Sequence, residues 1–283
     1  MELRNKVSII TGGGRGIGRA IAVAYAKESS QLVLISRTVS ELEATKREIE
    51  SFSDSGVEIL PGDVSQFKQV EELVNFTLAK FSTIDVLVNC AGVQGPIGLA
   101  LDNDAEKWLR AVHINLYGTF LCTRAVLPTM MKNQKGKIIN FSGGGAVSPR
   151  PRFSAYSASK AAVVRLTETL AEEVKDYNID INAIAPGAVN TRMLDEVLEA
   201  GEVAGKDFIA KAIKQKEEGG TPPERAAELA LFLASSKSDG LTGRLVSAVW
   251  DNWRKIPQHW GEIMTSDIYT LRRIIPEDRG RSW

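Results

Sequence analysis

The sequence predicts one three-layer α/β/α domain, a doubly wound parallel sheet with helices on both faces, followed by an extra C-terminal tail. Two observations predict it. Strand-like and helix-like patterns alternate from residue 7 onward, and the strand candidates are near-continuous apolar runs rather than alternating ones. A strand covered on both faces requires such a run, and that is the environment of a parallel sheet between helical layers.

The elements follow in order. Val7–Ile10 is a short apolar run, closed by glycines and followed by the helical spacing of Ile17, Ala20, Ile21, Ala24 and Tyr25. Leu32–Ile35 is the second strand, and Leu42, Thr45 and Ile49 mark a helix. Val57–Leu60 is the third strand, before a helix carrying Val70, Leu73 and Val74, and Val86–Val88 is the fourth. One long helix is expected over Trp108–Met131, with Asp102 and Asp104 as helix-start residues, then a strand over Lys137–Phe141. A helix over Ser154–Tyr177 and a strand over Ile179–Ile184 come next. Thr191–Gly220 is charged and interrupted and reads as a flexible lobe. Thr221-Pro222-Pro223-Glu224 has helix-start chemistry, leading to a helix that ends near Ala234, and Arg244–Val249 is the last strand. The domain is therefore placed at residues 1–249 and the extension at 250–283.

Bulk composition narrows the function. Lys plus Arg and Asp plus Glu both number 35, so no global field draws the chain to nucleic acid or an anionic membrane. No apolar run approaches the roughly 18 residues of a membrane span, and the short polar start leaves no room for a targeting segment. A cytoplasmic protein is expected. Cys90 and Cys122 have no CxxC spacing and read as small buried hydrophobes. His113 and His259 stand alone, without the neighbours a metal site needs.

The first chemical signal is Thr11-Gly12-Gly13-Gly14-Arg15-Gly16-Ile17-Gly18, between a strand and a helix. Glycine there permits a tight turn and close approach of backbone to a pyrophosphate, which the free N–H groups and positive end of the helix then hold. This is a Rossmann-like nucleotide cradle. The end of the second strand selects the nucleotide. An acidic residue there accepts from a ribose 2′-OH and repels a 2′-phosphate, whereas this chain has Ser36 and Arg37. A hydroxyl and a guanidinium suit a phosphate, with Arg15 as a second charge, so NADP(H) is expected over NAD(H). The alternative is that both arginines are solvated surface residues.

The second signal is Tyr156-Ser157-Ala158-Ser159-Lys160 within a helical pattern. Tyr and Lys at i and i+4 share one helix face. A free tyrosine titrates near pH 10, too high for acid–base work at neutral pH, and an ammonium one turn away favours the phenolate. Alone, such a pair arises often by chance on a helix surface.

Together with the glycine loop, however, it makes the chain resemble the short-chain dehydrogenase/reductase family, in its single-domain, NADP-preferring branch. The loop matches the family's TGxxxGxG, and the resemblance runs from about Lys6 to Val249. It implies that Asp63 and Val64 contact the adenine, and that Asn89-Cys90-Ala91-Gly92 replaces the family's NNAG, with Cys for the second Asn. It further implies a catalytic tetrad of Asn115, Ser142, Tyr156 and Lys160, and a segment Pro186-Gly187 with Thr191 closing over the nicotinamide. In that tetrad Tyr156 passes the substrate proton and Lys160 lowers its pKa and binds the nicotinamide ribose. Ser142 positions the carbonyl oxygen, and Asn115 holds a water that relays protons. The activity implied is carbonyl reduction or alcohol oxidation on a small-molecule substrate, in a homo-oligomer, tetramer or dimer. A same-fold epimerase or dehydratase, and a non-catalytic nucleotide-binding protein, are the rival readings. The second would be expected to lose Tyr156 or Lys160.

Three features fall outside the family pattern or leave it open. The substrate is undetermined among an acyl thioester, a sugar or polyol, and a small ketone. Leu194, Val197, Leu198, Phe208 and Ile213 of the lobe either line its pocket or pack the lobe down. Arg150 and Arg152, flanking Pro151 between Ser142 and Tyr156, are either cations at that pocket or surface arginines. The tail holds four tryptophans, Trp250, Trp253, Trp260 and Trp283, and an apolar set too large to bury against itself. It is expected to cover either its own domain or a partner subunit.

Overall fold

A computed structural model describes all of residues 1–283. Seven strands form one parallel sheet in the order β3-β2-β1-β4-β5-β6-β7. They are β1 (Val7–Thr11), β2 (Gln31–Ser36), β3 (Val57–Pro61), β4 (Val86–Asn89), β5 (Gly136–Phe141), β6 (Ile179–Ala185) and β7 (Leu245–Ser247). The helices between them are α1 (Gly16–Lys27), α2 (Val39–Glu50), α3 (Phe67–Phe81), α4 (Ala105–Val112), α5 (Gly118–Lys132), α6 (Ser154–Val174), α7 (Arg192–Ala200), α8 (Lys206–Glu218) and α9 (Pro223–Ala234). A short α10 (Trp260–Met264) lies in the tail. No helix is long and apolar enough to cross a membrane.

The apolar runs serve both faces because successive side chains of a strand point opposite ways. Ile10, Leu32, Leu34, Val86 and Val88 join Ile21, Tyr25, Ala226 and Leu229 of α1 and α9 in one core. Ile9, Val33, Ile35 and Leu87 join Leu73, Leu121, Val126 and Leu170 of α3, α5 and α6 in the other. Tyr25, fully buried, donates its hydroxyl to the Ala230 carbonyl (2.8 Å) and so pins α1 to α9.

Several expected boundaries move. The long helix begins earlier, at Ala105, because the Asp104 carboxylate accepts from Lys107 N (2.9 Å) and caps it. It is not uniform: His113–Tyr117 forms a π-helical turn between α4 and α5. The helix expected to reach Tyr177 ends at Val174 and tightens into a 3-10 turn over Lys175–Tyr177. The last strand is shorter, Leu245–Ser247, because the chain beyond it turns away. The lobe is two helices, α7 and α8, rather than an irregular segment. Its Leu194 and Val197 are buried with Phe153 and Tyr156, and Phe208 packs there too, whereas Ile213 is exposed.

The tail's first half covers its own domain. Trp253, Ile256 and Ile263 are buried in the α1–α9 core, and the Trp253 ring lies 5.4 Å from that of Phe232. Arg244 donates to the carbonyls of Ser266 (3.0 Å) and Ile268 (3.1 Å), and Leu245 N donates to Tyr269 O (2.7 Å) beside β7. Trp283, at the end, is exposed. Trp253→Ala should therefore cost about 3–5 kcal/mol, the range for emptying a buried aromatic site. Trp283→Ala should stay within about 0.5 kcal/mol. Chemical denaturation of the two variants checks the contrast, and equal losses would contradict this packing.

Candidate active site

The sheet order reverses between β1 and β4, so a crevice opens where their carboxyl ends part. Thr11 Oγ1 accepts from both Cys90 N and Ala91 N (3.0 Å each), tying the two ends together at the base of the crevice. The glycine loop crosses above. Gly12 and Gly16 have φ of +69° and +53°, where a side chain would be strained. A Cβ on Gly18 would lie 2.2 Å from the Gly12 carbonyl oxygen, so α1 packs against the loop only with glycine there.

The resulting cleft, about 510 Å³, is lined by Gly12, Gly14, Arg15, Gly16, Ile17 and Gly18 at its centre. Ser36 and Arg37 line one end with Asp63 and Val64, while Ala91, Gly92 and Thr191 line it further along. Asp63 does not hang free: its Oδ1 accepts from Ser65 N (2.9 Å) and Ser65 Oγ (2.7 Å). Arg37 is exposed and makes no ion pair, whereas Arg15 pairs with Glu41 (3.0 Å) on α2.

Asn89, Pro186 and Gly187 stand apart from this lining, as do Tyr156 and Lys160. The Asn89 amide is spent inside the sheet, donating to Thr123 Oγ1 (3.1 Å) and Asn140 Oδ1 (2.9 Å), so it braces β4 against its neighbours. Pro186 and Gly187 do not reach the cleft wall; a Cβ on Gly187 would meet Val249 Cγ2 at 2.5 Å. Conversely, Glu41, Thr38, Cys90, Met193, Glu196 and Lys216 line the cleft without having been singled out for it. Glu41 carried a readable signal, a carboxylate in the first turn of the helix after β2. Its pairing with a residue 26 positions away did not.

The second cluster is not part of that lining and sits where the end of β5 meets α6. Tyr156, Lys160 and Ser142 are all buried, and Ser142 Oγ donates to the Lys160 carbonyl across a long 3.3 Å. Lys160 Nζ donates to the Phe141 carbonyl (2.8 Å). A Cβ on Gly92 would stand 3.2 Å from Asn115 Oδ1 and 3.4 Å from Lys160 Nζ, which places these two around one bare backbone position. Asn115 lies in the π-helical turn, a feature often found at functional sites. Its Oδ1 accepts from Val93 N (2.8 Å), and its Nδ2 donates to Val93 O and Ser159 Oγ (3.0 Å each). Three of its amide's four hydrogen-bonding positions are thus taken within the chain. Through these bonds Asn115 clamps the loop after β4 onto α6.

Burial sets the electrostatics of this cluster. Burial pushes the Tyr156 phenol above its usual range, and the cation that opposes this is Arg150, whose guanidinium carbon lies 5.4 Å from the Tyr156 ring centroid. Lys160 Nζ sits 5.8 Å from that centroid, bound to a carbonyl, and burial lowers its own pKa to about 8. Burial also pushes the Cys90 and Cys122 thiols up to about 12, so both stay protonated. Arg150 is half-buried near Tyr156, whereas Arg152 donates to the Val203 carbonyl at the surface (3.0 Å).

Comparison with known proteins gives a consistent picture. A family model described as short chain dehydrogenase matches residues 6–201. A 3-oxoacyl-[acyl-carrier-protein] reductase of Thermotoga maritima is 32% identical over 253 residues, covering 87% of this chain and 97% of that protein. The structure of an NAD+-bound xylitol dehydrogenase superposes with a TM-score of 0.82 at 27% identity, covering 87% of this chain and 98% of the other. An actinorhodin polyketide ketoreductase with NADPH gives 0.79 at 28% identity, covering 86% and 95%.

The position of the phenol makes a sharp prediction. A Cβ on Gly143 would lie 2.3 Å from Tyr156 Oη, the mobile end of a side chain, so that end must give way rather than the backbone. Gly143→Ala should fold and bind nucleotide normally yet lose about a hundredfold or more in turnover, as misplacing a reacting group by about 1 Å does. Nucleotide binding by fluorescence and turnover by absorbance check it; unimpaired turnover would mean that this hydroxyl takes no part.

Proposed function

We propose a reaction for this chain, which belongs to the short-chain dehydrogenase/reductase family of oxidoreductases: hydride transfer between NADP(H) and a carbonyl carbon or its matching alcohol, with Tyr156 as the acid–base group. The observation that carries it is the buried Tyr156, Ser142 and Lys160 cluster, whose Lys160 Nζ stands 3.4 Å from where a Cβ on the cleft-lining Gly92 would lie.

The residues present fit a dinucleotide. Glycines at positive φ and a Gly18 that admits no Cβ leave backbone bare for a pyrophosphate, and the α1 N-terminus faces the same cleft. Ser36 and the unpaired Arg37 suit a 2′-phosphate. Of the carboxylates at that end, Glu41 is neutralised by Arg15 and Asp63 accepts from Ser65. The relatives themselves point both ways, one solved with NAD+ and another with NADPH, so the argument for NADP(H) rests on this chain's own residues. When bound, the cofactor supplies or accepts the hydride.

The chain's own groups handle the proton. Burial keeps the Tyr156 phenol protonated at neutral pH, which suits it to give a proton to a carbonyl oxygen as charge develops there. Ser142 Oγ, held only by the long bond to the Lys160 carbonyl, can turn its proton to the same oxygen. Lys160, anchored on Phe141 O, holds a positive charge beside the cleft at pH values below about 8. Asn115 fixes the wall behind them.

Two measurements test this. Tyr156→Phe should retain fold and NADPH binding and lose turnover at least about a hundredfold, the scale of general acid catalysis. Loss of NADPH absorbance with a panel of ketones, sugars and acyl thioesters reads it; near-normal rates would remove Tyr156 from the reaction. The native protein should show higher kcat/KM with NADPH than with NADH, and Arg37→Ala should erode that preference about tenfold or more, the scale of a charge-assisted contact. A clear NADH preference in the native protein would overturn the cofactor assignment.

A further inference from the structure

We propose that Arg150 anchors a carboxylate of the substrate, so that the molecule turned over is a short oxo acid or the corresponding hydroxy acid. This rests on the hydride-transfer reading above and narrows its substrate class.

The Arg150 side chain makes no hydrogen bond and no ion pair, and its Nε is buried without an acceptor. Arg244, which is buried, likewise has an Nε without an acceptor, but its Nη1 donates to two carbonyls, and Arg152 donates to one at the surface. A guanidinium has five N–H donors, and leaving the buried Nε–H without an acceptor costs free energy that a matching anion would recover.

Its surroundings are aromatic. The guanidinium carbon lies 4.1 Å from the Phe153 ring centroid, 4.7 Å from that of Phe208 and 5.4 Å from that of Tyr156. Aromatic rings attract such a cation but offer its N–H groups no oxygen acceptor, so those groups stay available to a carboxylate fork. No acidic side chain lies within 4 Å of the guanidinium, so its surroundings provide three rings and no counter-charge.

Placement relative to the proton donor completes the case. Gly143 and Gly144 are consecutive. A Cβ on the first would lie 2.3 Å from Tyr156 Oη, and one on the second 3.7 Å from Arg150 Nη1. Cα atoms of adjacent residues are about 3.8 Å apart, so the proton donor and the cation face neighbouring points on one glycine stretch. A carbonyl at Tyr156 would therefore bring a carboxylate only a few bonds away to Arg150. In the reaction hydride adds to the carbonyl carbon, the Tyr156 proton goes to oxygen, and the carboxylate leaves unchanged in the hydroxy acid. Phe208 comes from α8, so closing the lobe on the substrate would also exclude water from the ion pair.

The test compares short 2-oxo and 3-oxo acids with their methyl esters, using the native enzyme and NADPH. The acids should have kcat/KM at least about tenfold higher, the scale of a charge-assisted pair. Arg150→Met should abolish that preference, and Arg150→Lys should keep part of it. Calorimetric titration of the NADP+ complex with propanoate and with propanamide needs no turnover. Propanoate should bind the native protein more tightly, and Arg150→Met should remove the difference. Equal kcat/KM for acid and ester in the native enzyme, or a preference that survives in Arg150→Met, overturns the anchor. Reduction of neutral ketones with no gain for acids leaves the reductase standing and the anchor refuted. Arg150-dependent propanoate binding without reduction of anything in the panel supports the anchor and counts against hydride transfer. Should Arg150→Met fail to fold by circular dichroism, the native acid-to-ester ratio and Arg150→Lys decide.

Discussion

Two backbone N–H groups, those of Cys90 and Ala91, converge on the Thr11 hydroxyl, and the site depends on that junction. It joins the carboxyl ends of β1 and β4 where the sheet order reverses, so the strands stay together while the loops beyond them diverge to opposite faces. The glycine loop leaves one side of the junction and the Gly92–Val93 segment leaves the other. Asn115 then holds Val93 from the π-helical turn, and Ser159 on α6 holds Asn115. One chain of hydrogen bonds thus runs from the nucleotide cradle to the helix that carries Tyr156 and Lys160.

The electrostatic character of the site follows from what that helix meets. Tyr156 and Lys160 are buried, and burial disfavours the charged form of each, raising the phenol and lowering the amine. Neither has a carboxylate partner. The nearest opposing influence on the phenol is Arg150, which reaches it from the loop before α6 rather than from within the YxxxK motif. Two cationic side chains and a phenol around an open cleft form an environment that favours negative charge developing on a substrate oxygen.

The tail and the lobe close the structure in different ways. The tail adds Trp253, Ile256 and Ile263 to a core already built by α1 and α9, and its backbone extends the hydrogen bonding beside β7. The lobe instead builds a small core of its own with Phe153 and Tyr156, so its position bears directly on the reacting group. The first is a contribution to stability. The second links helix packing to access.

Local sequence determined the order of strands and helices, the parallel sheet and the two motifs, because each depends on short-range spacing: apolar runs for buried strands, glycines at a turn, Tyr and Lys one helical turn apart. Its limits were where distant residues meet. Asn89 matched a motif yet spends its amide on Thr123 and Asn140, and Glu41 matched none yet faces Arg15 across the cleft. Arg150 and Arg152, two positions apart on one loop, read alike in sequence. Tertiary structure decided between them, because three rings from two helices gather around Arg150 while Arg152 turns to a surface carbonyl. A side chain's environment is made by residues that approach it from elsewhere in the chain, and for Arg150 those lie as far away as Phe208.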